Sequence, residues 1–557
     1  MPAAGRGEGG TQMSRCPNCG ANARFDIASQ KFICDWCGMS MDPRDYQEKT
    51  GAGKDTYEVN VYRCPVCGGE LSSTDEAATE FCSYCGATVV LDKRLDQERR
   101  PDQVIPFQVT KEECKAAYGS LMKKAFFAPS DLKDPKHIDS FRGIYIPYHS
   151  IDYNYQGTVG VQGYTSQTHG NTIYKDHYRF DVDVDAVSGG HLHDASSFFD
   201  DRIGRKVAPF DVMDRERGWQ EKPFSTAYIS GFYADTPDVP PELYYDMTQA
   251  EADAEVCEAA TETVKRTNPE QLLQSGKVTY EDPELQHSYV RPTSVHTRTV
   301  MMPLWFLSYR FKDRVAYACV NGQTGKVFAD IPIDTRKMLI SSLVLAVPIF
   351  FLLECFLTMT PWATLTFASI GVSLTLILYE VFLWLVKKRD EHAEDYGYLY
   401  RENGVLKTSR AVRTKTEKEN LRRDSLKTLF RARTIMIIVM LMIFVPPILS
   451  GINFNKASQS SVWILIFLAV SIVTAALGIK RQKTKDHYWI LGIMLGIQLV
   501  CFLIAKWHPI QDFLYYLCAI AAFGAILYAE FRILKEYNLA STRKMPQFER
   551  RGGDDQA

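Results

Sequence analysis

The 557-residue chain lacks a charge surplus of either sign: 64 Lys and Arg stand against 66 Asp and Glu, for a net charge of −2. It also lacks the short signatures of the common enzyme classes. Gly322-Gln323-Thr324-Gly325-Lys326 is only a fragment of a phosphate loop, because Val320 and Val327 stand where a Gly and a hydroxyl residue are needed. Gly51-Ala52-Gly53-Lys54-Asp55 fails in the same way, with Glu48 and Asp55 at those places. There is no nucleophile elbow, no HExxH, and no flavin, haem or dinucleotide signature. No catalytic constellation emerges, so the expectation is a protein that is not an enzyme. The Gly- and Ala-rich N-terminus has no apolar core segment, which predicts no secretory signal peptide.

What the chain does have is one cysteine pattern, twice. Cys16, Cys19, Cys34 and Cys37 form two CxxCG knuckles with 14 residues between the inner cysteines, and Cys64, Cys67, Cys82 and Cys85 repeat them 48 positions later. Four thiolates at this spacing suit a tetrahedral zinc site, so each set predicts a zinc ribbon holding one ion (two in all), over 13–45 and 60–92. The Gly after each second cysteine is free to take positive φ and turn backbone N–H groups toward sulfur. Disulfides compete in an oxidising compartment, and rubredoxin-like iron competes on the CPxCG motif, without any accompanying redox signature. Nucleic-acid binding is the usual association of such ribbons. Between Met13 and Asp92, however, 7 basic residues face 12 acidic ones, which leaves phosphate neutralisation unsupplied. Phe32, Trp36, Phe81 and Tyr84 offer stacking surfaces, but aromatics beside a knuckle more often cover the sulfurs.

The second half of the chain is apolar. Six stretches are long enough to span a bilayer: Leu339–Leu357, Leu365–Val386, Ile435–Leu449, Trp463–Ile479, Tyr488–Ala505 and Phe513–Leu534. The segment 387–433 carries 14 Lys and Arg, and Lys480, Arg481, Lys483 and Lys485 follow the fourth stretch. The opposite loops hold only Lys456 and Lys506. The positive-inside rule then predicts a multi-pass region over 338–534, with both termini and a tail at 535–557 in the cytosol. A reducing cytosol favours metal over disulfide at the knuckles. The charge splits accordingly: 38 basic and 49 acidic residues before 338, 26 and 17 from there on. The basic excess lies where anionic head groups of a lipid bilayer attract it. Glu354 and Glu380 are the ionisable residues worth noting inside the apolar stretches, and such carboxylates are functional candidates because burial there is costly. Glu380, seven residues before Lys387, is within reach of the interface. A regulated transporter or channel is therefore an alternative reading.

Between the two halves, Arg94–Asp102 reads as a charged linker and 104–335 as one soluble α+β domain. Thr110-Lys111-Glu112-Glu113 is a capping box. Gly143–Asn154, Gly157–Tyr164 and Tyr174–Ala186 read as strands, and a helix is expected from about Gln249 to Arg266. Arg314–Val320 and Val327–Ile331 form a hairpin through Asn321–Lys326. His191 and His193, with His169 and His177 nearby, are more readily solvated loop histidines than a second metal site. Asp181, Asp183 and Asp185 share one solvent face and lack calcium-loop spacing. The fold class expected is multidomain: two four-cysteine zinc ribbons, an α+β domain, and a six-helix transmembrane region.

Val104-Ile105-Pro106-Phe107, Ala125-Phe126-Phe127-Ala128-Pro129-Ser130 and Gly143-Ile144-Tyr145-Ile146-Pro147-Tyr148 resemble an uncharacterised bacterial family of membrane proteins with TFIIB-type zinc ribbons. So do Ala227–Asp235, Leu304–Tyr309 and Val320–Val327, in order over roughly 60–335. Members are often labelled replication-restart helicases, a label that a chain without a phosphate loop does not support. The resemblance implies an envelope-stress membrane protein, and the function expected from the whole sequence is a scaffold or adaptor of the bacterial cytoplasmic membrane. Its implied partners are phage-shock-type, SPFH and TPM-domain proteins; the acidic balance of the ribbons speaks against nucleic acid, and no small-molecule substrate is evident. The doubled ribbon departs from what can be assumed of every relative.

Overall fold

The structure is a computed structural model. It describes residues 15–50, 55–73, 81–89, 91–169, 172–197, 199, 201–207, 213–214, 218–219, 221–267, 278–280, 291–311, 314–356, 360–393, 399–402, 405–408, 457–481, 485–507, 509–544 and 546. A 13-stranded sheet organises the first part of the chain. Its spine is the strand Ser294–Phe311, paired antiparallel with Arg142–His169 from Ser294↔Asn154 to Phe306↔Arg142, and with Arg314–Asn321 from Leu304↔Asn321 to Phe311↔Arg314. Side chains alternate across this strand, and the alternation divides two cores. Val300, Met302, Leu304 and Phe306 enter one, together with Val315, Tyr317 and Cys319. Met301, Trp305 and Leu307 enter the other, where the helix Lys111–Lys124 contributes Cys114, Tyr118 and Met122. That helix begins with the expected capping box, Thr110 and Glu113 each satisfying the other's backbone N–H.

The strand segments expected between 143 and 186 are one long hairpin, Arg142–His169 with Thr172–Asp194, antiparallel throughout with one register shift between Ile151 and Tyr153. Its far half is covered by the helix Tyr245–Arg266, which starts four residues before the expected position and buries Val256, Cys257 and Ala260 against Tyr153, Tyr155 and Val161. The hairpin through Asn321 forms as expected: Asn321 Oδ1 accepts the N–H groups of Gln323 and Thr324, and Gly325 takes φ +74°. Arg94–Asp102 is not a linker. Asp92–Arg99 is a strand paired along its whole length with Thr56–Arg63. Buried Glu70 fixes it by accepting both terminal nitrogens of Arg94 at 2.9 Å.

In the apolar part the described helices are Thr335–Phe356, Pro361–Ala393, Ala457–Arg481, Lys485–Trp507 and Phe513–Ala540. Among the described residues, four segments are long and apolar enough to cross a membrane: Pro361–Trp384, Ser461–Lys480, Lys485–Trp507 and Phe513–Leu539. The count is therefore four where the sequence suggested six. Of the other two stretches, Leu339–Leu357 falls largely within a described helix that does not join this set, and Ile435–Leu449 lies outside the described residues. Most of the basic segment 387–433 lies outside them too. The last helix is stitched back to the sheet. Asn538 exchanges hydrogen bonds with the backbone of Ile333 at 2.8 and 2.9 Å, and Arg543–Lys544 pairs antiparallel with Arg314–Val315.

Candidate metal centres

Each knuckle is built by its own backbone. The N–H of the glycine after the second cysteine donates to the carbonyl of the first, at 2.8 Å for Gly20 and Gly68 and 2.9 Å for Gly38 and Gly86. All four glycines hold φ between +67° and +75°, where a side chain would be strained. The turn aims the next residue's N–H but one (Ala21, Met39, Gly69 and Ala87) at the sulfurs of Cys19, Cys37, Cys67 and Cys85. Such N–H groups favour thiolate and so prepare the cluster for a cation.

The structure brings all eight predicted cysteines into their two groups, with the sulfurs of each group within 4.8 Å of one another. In the first, Cys16 and Cys37 are 3.5 Å apart and Cys19 and Cys34 3.6 Å; in the second, Cys64–Cys85 and Cys67–Cys82 are both 3.7 Å. Four thiols this close do not ionise alike in the absence of a cation. In the first group the Met39 N–H, with sulfur contacts from Cys16 and Cys19, draws Cys37 down to about 6. The Ala21 N–H pulls Cys19 the same way, but lost hydration and the neighbouring thiols push it up to about 12. In the second group, contacts with the other three sulfurs draw Cys64 well down and push Cys82 well up. A bound metal ion would stabilise four thiolates at once and release the shared protons. The residues present fit such an ion.

The surroundings of the two groups differ. Cys64, Cys67, Cys82 and Cys85 are all buried in the first of the sheet's cores, where Tyr84 meets Phe306 edge-on at 6.5 Å and Tyr317 donates to the Tyr84 carbonyl at 2.7 Å. The first group has its own small sheet of Arg24–Asp26, Lys31–Ile33 and Ser40–Met41, and a core of Phe32 and Tyr46. It leaves Cys19 and Cys37 exposed, with Trp36 84% exposed beside them. It rests on the segment 225–230: Ser230 Oγ donates to Ala23 O and Ser225 Oγ to Pro43 O, both at 2.6 Å, while Phe25 packs on Tyr228.

The remaining sequence candidates separate. Among the described residues no histidine joins a group able to hold a metal ion; His193 stacks on Tyr244 at 4.7 Å, and buried His191 meets Ser188 at 2.9 Å. Asp181, Asp183 and Asp185 are solvent-exposed as expected. The Glu354 side chain lies outside the described residues. Glu380 is 7% exposed: it lies 3.2 Å from His487, two residues after Lys485, and so close to Gly478 that no Cβ would fit there. Sequence reading passed over His487, as it did a buried polar contact of Ser373 with Ser471 at 2.9 Å and Gln498 at 2.5 Å. The available signal was helical spacing: Thr366, Ser369, Ser373 and Glu380 fall on one face of the helix Pro361–Ala393.

No protein-family model matches the chain, and no solved structure matches it. It is similar to a protein of Bacillus subtilis (strain 168) named "Uncharacterized protein YdjG", with 27% identity over 333 residues that cover 58% of this chain and 91% of that protein.

Proposed function

We propose that the chain is a non-enzymatic scaffold of the bacterial cytoplasmic membrane, with a zinc ion in each four-cysteine group and its first ribbon as the docking element for cytosolic proteins. Exposed Trp36 carries this reading. An indole left 84% exposed at the tip of a rigid, metal-closed loop has the character of an interface anchor. Four soft sulfur ligands suit zinc, and both clusters are closed by cysteine alone, as structural sites are. Membrane insertion is supported by the four apolar helices, whose outward faces include Leu465, Val473, Leu503 and Phe531. That both ends of the apolar part lie beside the sheet supports an even number of crossings. The helix Thr335–Phe356 and the stretch Ile435–Leu449 complete six, and the basic segments then place both termini in the cytosol. The partners proposed are SPFH or phage-shock-type proteins of envelope stress.

The test is crosslinking in intact cells, gentle solubilisation and identification of what copurifies, with Trp36→Ala and Cys16→Ser/Cys19→Ser beside the unaltered protein. Loss of an SPFH or phage-shock-type partner in both variants supports the reading; an unchanged set overturns the docking role. The buried Glu380–His487 pair favours regulated transport as a second reading. Proton uptake by reconstituted vesicles, abolished in Glu380→Gln, would install it in place of the scaffold.

A further inference from the structure

The strand Thr172–Asp194 is paired on one side only, with Arg142–His169; among the described residues its other edge has no strand beside it. Along residues 182–188 of that edge runs a groove of about 330 Å³, whose opposite wall is the helix Tyr245–Arg266. The floor is apolar, from Val182, Val184 and Val256, and the helix wall is built of small residues, Ala259, Ala260 and Thr263. Glu255 lines it from the helix, and Asp183 and Asp185 lie on the same strand edge with their side chains on the face opposite Val182 and Val184; among the described residues no lysine or arginine lines it. Glu255 is oriented by the Ser188 hydroxyl at 2.8 Å and Asp183 by that of Thr158 at 2.9 Å.

An unpaired edge offers alternate N–H and C=O groups, a template for one more strand. Where a helix runs parallel to that edge, an added strand finds backbone partners on one side and a side-chain wall on the other, which is how peptides add to sheets in several recognition domains. The small residues at 259, 260 and 263 let a backbone approach closely. Seven strand residues span about 20–24 Å, the length of an extended segment of six or seven residues. The acids decide the occupant. A second copy of this chain would set Asp183 and Asp185 against the same carboxylates, and like charges opposed across a sheet repel. A basic segment would meet complementary charge.

We propose that this groove is a peptide-binding site that takes an extended, basic segment of a partner protein as an added β-strand. It names a kind of partner for the scaffold but uses none of the ribbon surface, so either can fail without the other.

The test uses the purified full-length protein in detergent and fluorescence polarisation of arrayed, labelled decapeptides that alternate Val and Lys in both registers. Matched sets carry Glu for Lys, or N-methyl groups on alternate amides. The basic peptides should bind. Binding should fall about ten-fold or more, the loss of more than one kcal/mol, on N-methylation, on Lys→Glu exchange, and in Asp183→Lys/Asp185→Lys. Ala259→Trp, which fills the groove from an exposed helix position, should do the same, with Thr263→Trp as a second filling variant if the first melts early. Trp36→Ala should bind as the unaltered protein does, which separates this site from the ribbon. Equal affinity for N-methylated peptide would reduce the effect to charge attraction and overturn strand addition. No binding by any basic decapeptide, or a dimer that Ala259→Trp disrupts, would overturn the proposed occupant.

Discussion

The two ribbons share their cysteine spacing and differ in almost everything around it. Gly86, in the second, lies so close to the spine of the sheet that an added Cβ would come within 3.1 Å of the Arg310 Cβ; a Cβ added at Gly20 or Gly38, in the first, would meet nothing within 4 Å beyond its chain neighbours. Trp36 and Tyr84 occupy equivalent places 48 residues apart, one 84% exposed and the other 4%. The residues after the first knuckle explain the contrast. In the second ribbon Glu70–Ser73 pairs with Tyr233–Ala234 and becomes a strand of the main sheet. In the first, Arg24–Asp26 belongs to its own three-stranded sheet and reaches the rest of the chain through the Phe25 N–H, which donates to the Ser230 carbonyl at 3.2 Å. A four-cysteine pattern thus specifies a metal centre, and its flanks decide whether that centre is a core or a surface.

The largest test removes a metal from each side of this comparison. A structural zinc contributes about 10–16 kcal/mol of folding free energy in small zinc peptides, comparable to a whole domain's stability of about 5–15 kcal/mol. Cys64→Ser should therefore open the sheet to proteolysis well beyond the ribbon, across 55–331. Cys16→Ser should expose only 15–50. Limited proteolysis read by mass spectrometry, with metal content measured beside it, distinguishes these; equally local damage in both variants would break the comparison. Next in size is Tyr84→Ala. Removing a buried aromatic costs about 3–5 kcal/mol, and this one leaves a gap against Phe306, so the thermal midpoint should drop by several degrees or more.

How much of this was legible in the sequence follows from the range of the interactions. The cysteine tetrads, the Thr110 capping box and the Asn321–Lys326 turn are local chemistry, and each forms as its residues suggest. The union of the second ribbon with the sheet is not local. It depends on Ser72 and Ser73 donating to the carbonyls of Ala234 and Phe232, 162 and 159 residues away, and no period or motif in either segment announces that pairing. The charged run RLDQERR read as a linker for the same reason. Polar residues on a strand are held there by partners such as Glu70, which the strand itself does not contain. Glu380 was visible as an anomaly in an apolar run. His487 was not, since a single histidine near a basic boundary carries no signal until another helix brings a carboxylate to it.

A smaller effect separates the metal-stripped clusters by reactivity. Cys37 is exposed and drawn down to about 6, so above that pH it is a thiolate, and its alkylation should slow as the pH falls through 6. Cys19, exposed but pushed up to about 12, should react more slowly at neutral pH, and the buried second cluster more slowly again. Site-resolved iodoacetamide labelling from pH 5 to 8 after chelation checks the order. Equal labelling of Cys19 and Cys37 would remove the role given to the Met39 N–H.

The smallest stability effect is also the most discriminating. Trp36→Ala removes the larger side chain of the equivalent pair, yet a residue with most of its surface in water loses little packing on truncation, within about 0.5 kcal/mol of zero. Its melting curve and metal content should therefore match those of the unaltered protein, in contrast to Tyr84→Ala. If Trp36→Ala instead destabilises the first ribbon, the indole is supporting its own cluster and is no free anchor. If stability is unchanged and binding is lost, a side chain that does nothing for the fold is doing something for a partner. That separation of stability from recognition is what an exposed copy of a buried module makes possible.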